Sequence, residues 1–352
     1  MTTSPSKIIV LGGAGFIGTN LCLSALEKGI QVVIFDNLSR KGTDINLRLI
    51  QARDAARVNF VRGDIRNAEE VHALFADHGD ADMIFHMAGQ VAVTTSIKDP
   101  RDDFEINLLG TLNILEGMRL NNIQAPLLYA STNKVYGKMS HVEVVEQETC
   151  YTYRDYPNGV TEDFPLDFHS PYGCSKGGAD QYVIDYARIY GLRTVVFRQS
   201  CIYGYYQFGI EDQGWVAWFT IASLYNLPIT IYGNGKQVRD ILFIDDLIRA
   251  YWMALENIET TNGRAYNIGG AQFRLSLIEL LTYLEDLLGR KIPVSYDEVR
   301  KGDQKVFVAD ITKAGREFGW SPQVDTQTGV KILAGWVTEN RSMFVDAGLL
   351  RA

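Results

Sequence analysis

A short apolar strand that runs into glycines and then into a helix dictates how this chain begins to fold. Ile8, Ile9, Val10 and Leu11 form the apolar run, and Gly12-Gly13-Ala14-Gly15-Phe16-Ile17-Gly18 stops it. A helical pattern follows through Asn20–Leu26 to Gly29, and a second apolar run, 31–35, ends at Asp36. Glycines at 12, 15 and 18 perform three physical tasks: a tight turn, close backbone approach to a pyrophosphate, and close packing of helix on strand. The free N–H groups and positive end of that helix then hold the pyrophosphate. A glycine triplet alone is weak evidence. Here it follows a strand, opens a helix, and is followed 18 residues after Gly18 by an acid at a strand end, which is the context the motif demands. Asp36 accepts hydrogen bonds from an adenosine ribose and repels a 2′-phosphate, so the pattern predicts NAD over NADP. Arg40, close by in sequence, is the one feature that pulls toward NADP.

The alternation continues. Strands are expected at 58–61 and at 83–89, the latter ending in the small residues Ala88-Gly89. A helix is expected over Asp102–Asn121, a strand over 126–131, a helix over Tyr172–Tyr190 and a strand over 194–198. Such alternation implies an α/β, Rossmann-like, doubly wound parallel sheet covered on both faces. The polar, turn-rich segment from Lys138 to His169 interrupts it, and a connection of that length reads as a functional lid or loop. Beyond Gly204 the elements shorten. We expect a dinucleotide domain over 1–204 and a smaller C-terminal α/β substrate lobe over 205–352, with part of 235–275 returning to the first domain.

Composition excludes several classes. Lys and Arg total 34 against 42 Asp and Glu, a formal charge of −8, which disfavours nucleic acid as the partner. No apolar run approaches the ~18 residues of a membrane span. Cys22, Cys150, Cys174 and Cys201 make no Cys-x-x-Cys pair and no disulfide scaffold, and the five histidines lack metal-ligand spacing. The N-terminus does not read as a secretory signal, so the expected location is the cytoplasm. His86 reads as a packed core histidine, Trp215 and Trp218 as a packing face (with Trp215, after Gln213-Gly214, also placed to edge a pocket), and Asp245-Asp246 as a helix N-cap and first-turn acid.

Tyr172-x-x-x-Lys176 carries the chemistry. The chain holds a second copy, Tyr232…Lys236, whose Gly-Asn-Gly interior resists a helix. The first copy lies in an amphipathic pattern that puts both side chains on one helix face. A phenol near its ordinary pKa of ~10 is a poor base at neutral pH, and a neighbouring ammonium and a nicotinamide cation both favour phenolate. Lys176 would also hold the nicotinamide ribose. Ser131 or Thr132, at a strand end, could share the substrate hydroxyl's hydrogen bond.

Together these motifs resemble the extended short-chain dehydrogenase/reductase family of nucleotide-sugar enzymes, also described as NAD-dependent epimerases/dehydratases. The resemblance rests on Gly12, Gly15 and Gly18, Asp36, Gly63-Asp64-Ile65, Met87-Ala88-Gly89, Asn107, Ser131-Thr132 and Tyr172…Lys176. It extends to Gly233–Asp240 and Val299–Asp303, and to Gly319-Trp320-Ser321-Pro322. It implies Thr132, Tyr172 and Lys176 as catalytic residues. It also implies a cofactor site drawing on Phe16, Ile17, Asn37, Ser39, Arg40, Asp64, Ile65, Gln90, Asn107 and Ser131. Arg239 and Arg300 would clamp a substrate diphosphate, with Gln207 and Gln213 near the sugar. The helices near 102–121 and 172–190 resemble those that pair across family dimers, so a homo-oligomer, dimer or tetramer, is expected.

Dehydratases of the family place Asp-Glu after the threonine, whereas this chain has Asn133-Lys134. The segments 167–177, 207–216 and 151–163 are similar to the branch that inverts C2 of a CDP-linked sugar. A ketone at C4 acidifies C3 and C5 but not C2, so inversion at C2 calls for direct oxidation there, reorientation of the 2-keto sugar, and hydride return. The segment 198–204 departs from the resemblance, since many relatives place an Asn near Cys201. Two other readings stay open: a UDP-sugar 4-epimerase of the same family, and a non-catalytic dinucleotide sensor on the same fold.

Overall fold

The computed structural model describes residues 5–299 and 304–351. Seven parallel strands form the central sheet. The first five in the chain are β1 (Lys7–Leu11), β2 (Gln31–Asp36), β3 (Val58–Arg62), β4 (Met83–His86) and β5 (Leu127–Thr132). Strands Thr194–Gln199 and Arg264–Ile268 complete it, in the order 264–268, 194–199, β5, β4, β1, β2, β3. Ile9 sits between Val33 of β2 and Ile84 of β4. Strand order therefore reverses at β1, and the crevice opens outside the carboxyl ends of β1 and β4.

Both sheet faces are buried, which explains the near-continuous apolar strands. Ile8, Val10, Ile34 and Phe85 pack with Leu21, Ala25 and Leu26 of helix α1 (Phe16–Glu27) and with the Ile244–Glu256 helix. Ile9, Leu11, Val33 and Ile84 meet the helices Ala68–His78, Gly110–Leu120 and Ser170–Tyr190 on the other face. The helix expected over 102–121 starts earlier and is not uniform. Pro100–Phe104 is α-helical, Glu105–Leu109 is a π turn, and Gly110–Leu120 is α-helical again. Asp99 caps the start by accepting from the Asp102 N–H at 3.0 Å. The π turn carries Asn107 inward.

A smaller lobe is built on strand Val238–Phe243, which pairs with Cys201–Tyr203, Arg274–Ser276 and Val306–Phe307. The chain leaves the central sheet at Gln199 and re-enters it at Arg264. Asp245 and Asp246 both lie in the first turn of the Ile244–Glu256 helix, whose cap position is Phe243, so Asp245 is not the N-cap. Buried Asp246 instead accepts from the N–H groups of Gln323 and Val324, each at 2.8 Å, and its carbonyl accepts from Trp320 Nε1. That replaces a capping role with a tie to the C-terminal segment.

The 138–169 segment also departs from expectation. It forms a hairpin, Val144–Glu146 with Tyr151–Tyr153, and packs on the lobe. Tyr153 Oη donates to the Val306 carbonyl at 2.9 Å, and Val160 N–H donates to Val308 at 2.8 Å. No residue of 138–169 lines the central cleft. The segment is a buttress to the lobe.

Candidate active site

A cleft of about 410 Å³ lies at the reversal point of the sheet. Its cofactor-side wall includes Phe16, Ile17, Met87 and Gly89, and its far wall includes Gln207, Trp215 and Arg239. Gly12 turns the chain with φ +79°, and a Cβ there would lie 2.5 Å from the Ala88 nitrogen. A Cβ on Gly18 would lie 2.3 Å from the Gly12 carbonyl oxygen. Gly15 is the N-cap position of α1 and has no side-chain cap, so the first N–H groups of the helix stay available to an anion. Only glycine permits this turn to sit so close to the β4 end and to α1.

Asp36 ends β2 with Oδ2 accepting from Ala14 N–H at 3.0 Å and Oδ1 from Leu38 N–H at 2.8 Å. Burial raises its carboxyl, opposed by those two N–H groups and by Arg40. Asn37 donates to Asp64 at 2.9 Å, and its Oδ1 accepts from Ser39 N–H. Asp64 is held down at about 2, chiefly by hydrogen bonding from Arg66, against its partial burial. Ile65 packs under Gly110, where a Cβ would come within 2.6 Å of Ile65 Cδ1. Arg40 reaches across the cleft to the Gln213 carboxamide. A glycine cradle, an acid at the β2 end and an acid–amide pair beside it fit the pyrophosphate, ribose and adenine of a dinucleotide.

Asn107 and Gln90 sit behind this wall. Asn107 Oδ1 accepts from Gln90 N–H at 2.9 Å, and its Nδ2 donates to the Gln90 carbonyl, Asp103 and Ser175. Only 1% of Asn107 is exposed, and neither residue lines the cleft. Their bonds to each other brace the loop that carries Met87 and Gly89 into the cleft wall.

Tyr172 occupies the first turn of the Ser170–Tyr190 helix, after Pro171 and after Ser170 at φ +72°. Its N–H donates to Ser96 Oγ at 3.1 Å. Burial pushes the phenol up to about 12, and the hydroxyl of Thr132 and the charge of Arg40 act in the lowering direction. Lys176 donates to the Ala130 carbonyl at 2.6 Å and lies 4.2 Å over the Tyr129 ring. Burial brings its ammonium down to about 7, opposed by Asp180 and Asp103. Thr132 and Arg40 thus act to lower the phenol, against burial and the Asp103 charge, while the Lys176 ammonium is bonded to the β5 backbone.

The two strand-end hydroxyls differ in their partners. Ser131 Oγ donates to Asp180 at 2.8 Å, whereas Thr132 is the hydroxyl beside Tyr172. Arg239 is buried in the cleft wall, its guanidinium donating to the Val238 carbonyl. Gln207 lines the cleft, and its Oε1 is buried without a protein partner. Arg300 lies outside the described residues. Sequence reasoning missed Lys134, Gln199 and Gln237 as cleft residues. Gln237 was visible only as a neighbour of Arg239, and Gln199 carried no signal. His86 is buried beneath the site with Nε2 2.9 Å from Thr111 Oγ1. Trp215 lines the cleft, whereas Trp218 does not. Among the described residues no cluster of potential metal ligands forms, and no helix is long and apolar enough to cross a membrane.

A family model described as the NAD dependent epimerase/dehydratase family matches residues 8–269. The chain belongs to that family. Among the family's curated members it is 49% identical to CDP-paratose 2-epimerase of Salmonella typhi over 338 residues, 94% of this chain and 99% of that protein. It is 31% identical to a putative UDP-glucose 4-epimerase of Methanocaldococcus jannaschii, covering 95% and 99%. The solved UDP-glucose 4-epimerase of Thermotoga maritima, with UDP-glucose, superposes with a TM-score of 0.81 at 29% identity, covering 95% and 99%. The family's dependence on NAD agrees with the glycine cradle and Asp36 described above.

Proposed function

We propose that this protein is an isomerase that inverts C2 of a CDP-linked sugar, in the manner of CDP-paratose to CDP-tyvelose, with NAD as its cofactor. The observation that carries the reading is the 49% identity, over nearly both full lengths, to CDP-paratose 2-epimerase. Asn133-Lys134 in the cleft wall adds to it, since no acid–base pair for expelling water follows Thr132.

Bound NAD supplies reversible hydride acceptance. The rest falls to the chain. Tyr172 Oη takes the proton of the C2 hydroxyl and returns it, with Thr132 Oγ1 sharing that hydrogen bond. The positive charge of Arg40 helps make the phenol a base. Lys176 holds the nicotinamide ribose with the N–H groups that Ala130 leaves free. Gly12, Gly15, Gly18, Asp36, Asn37, Asp64 and Ile65 seat the dinucleotide. Arg239 and Arg300 neutralise the sugar-nucleotide diphosphate, and Gln207 offers its unpaired Oε1 to a sugar hydroxyl. Between the two transfers, the 2-keto sugar must turn over within the cleft. The protein acts in the cytoplasm as a homo-oligomer. Phe104, Leu120, Tyr182, Ile189 and Tyr190, exposed on the 100–120 and 170–190 helices, form the apolar surface for that contact.

Purified protein is incubated with CDP-, UDP- and GDP-sugars, and the products are read by NMR. The expected result is C2 inversion of a CDP-sugar, with no deuterium at C2 in heavy water. Tyr172→Phe should lower turnover by about 10²–10⁴ while NAD stays bound. C4 inversion of a UDP-sugar with CDP-sugars unchanged would replace this reading by the 4-epimerase. Bound NAD with no turnover of any sugar would favour the sensor.

A further inference from the structure

The Ser170–Tyr190 helix carries three polar groups at four-residue intervals on one face: Tyr172, Lys176 and Asp180. The proposed mechanism uses the first two. Asp180 is fully buried, as deep as any apolar residue of the core. A carboxylate is buried this far only when its charge is matched. Arg198 supplies the match through two bonds, Nε at 3.0 Å and Nη2 at 3.1 Å, and Ser131 Oγ donates at 2.8 Å. Ser131 and Arg198 are cross-strand neighbours in the sheet, so Asp180 ties the helix to the adjoining ends of two strands.

The arrangement has a direction. Lys176 Nζ is bonded to the carbonyl of Ala130, the residue before Ser131, so the lysine and the Asp180 carboxylate are held by consecutive residues of β5. The Arg198 guanidinium extends away toward Tyr136 Oη and the Glu162 carbonyl. The other ionisable groups around Lys176 are Tyr172 on its own helix, Asp103 from the 100–104 helix, Tyr129 from β5 and buried His86 from β4. Asp103 is shared among Ser175, Gln90 and Asn107. Asp180 is the leading charge that opposes the burial of the ammonium.

We infer that Asp180 is a positioning residue of the active site. Its carboxylate, locked by Arg198 and Ser131, keeps Lys176 charged and fixes the strand end that presents Thr132. The inference rests on the role given above to Lys176, but its test does not need the substrate. The holoenzyme is labelled competitively with acetic anhydride across pH, and acetylation of Lys176 is read by peptide mass spectrometry. In Asp180→Asn, the midpoint for Lys176 reactivity should fall by about one pH unit or more, a tenfold fall in the ratio of ammonium to amine. Asp180→Glu, which keeps the charge, should restore the wild-type midpoint.

Asp180→Asn strands the guanidinium of Arg198, so Asp180→Asn/Arg198→Met provides a folded alternative with the same expected direction. The alkaline limb of the kcat/KM profile should move down in step with the label. A purely structural role would lower kcat with midpoint and limb unmoved, and that result in either Asn-containing variant overturns the inference. Failure of wild-type protein to epimerise any sugar, with the label still responding, would sink the proposed function and leave this inference standing.

Discussion

Gly18→Ala tests the cofactor cradle at its tightest point. A Cβ there would lie 2.3 Å from the Gly12 carbonyl oxygen and 2.7 Å and 2.9 Å from Gly13 backbone carbons. All three neighbours are backbone, so no side-chain end can swing aside. Restoring ordinary contact near 3.4 Å moves the glycine turn and α1 apart by about 1 Å, and overpacking on that scale costs about 1–3 kcal/mol. The turn is pinned by Gly12 N–H to Phe35 and by Gly15 N–H to Gly12, so the displacement opens the pyrophosphate cradle. Binding NAD must close it again. At about 1.4 kcal/mol per tenfold, the dissociation constant for NAD should rise about 5- to 150-fold. The assay is calorimetric titration with NAD, alongside circular dichroism and thermal melts. Gly335→Ala is the control: it lies inside the Thr326–Glu339 helix with open space where a Cβ would go, and should gain about 0.5–1 kcal/mol with NAD affinity unchanged. Wild-type NAD affinity in Gly18→Ala would refute the placement of the cofactor.

Two further outcomes are expected. Glu317 is held down at about 2 by hydrogen bonds from Tyr266, Arg316 and Arg264 that outweigh its desolvation. Its folded carboxyl lies below the ordinary 4.5, so its stabilisation is complete above that pH and disappears as pH falls toward 2. Glu317→Gln should therefore cost about 1–2 kcal/mol in denaturant unfolding at pH 7, and progressively less below pH 4.5. Phe104→Asp with Ile189→Asp puts charge on the exposed faces of the two helices proposed to pair, and should reduce the particle mass in light scattering to that of one chain.

What could be read from the sequence were features whose physics is local. The β1–turn–α1–β2 unit announces itself because strand, glycines, helix and acid are contiguous. Tyr172 and Lys176 were legible because four residues is one helical turn. The π turn at Glu105–Leu109 was not, since it is stabilised by what Asn107 meets across the fold, at Gln90 and Ser175. The 138–169 segment read as a lid or loop because of its length, but Tyr153 and Val160 find their partners some 150 residues on, at Val306 and Val308. Asp180 carried no signal in the sequence, because Arg198 is its neighbour only once the sheet has formed. The orientation of Lys176 was likewise hidden: its ammonium is claimed by a backbone carbonyl, and a carbonyl leaves no trace in residue identity.

The return of the chain to the central sheet at Arg264–Ile268 sets a schedule for synthesis. Until those residues leave the ribosome, strand Thr194–Gln199 is the rim of an unfinished sheet, with a row of unpaired amides and carbonyls open to any other nascent chain. The substrate lobe is begun in the interval between the two strands and completed only after the second, by Arg274–Ser276 and Val306–Phe307. Neither half can therefore be matured and then attached. A stop codon or a fusion junction anywhere between 200 and 263 should yield an aggregating product instead of a free dinucleotide-binding domain.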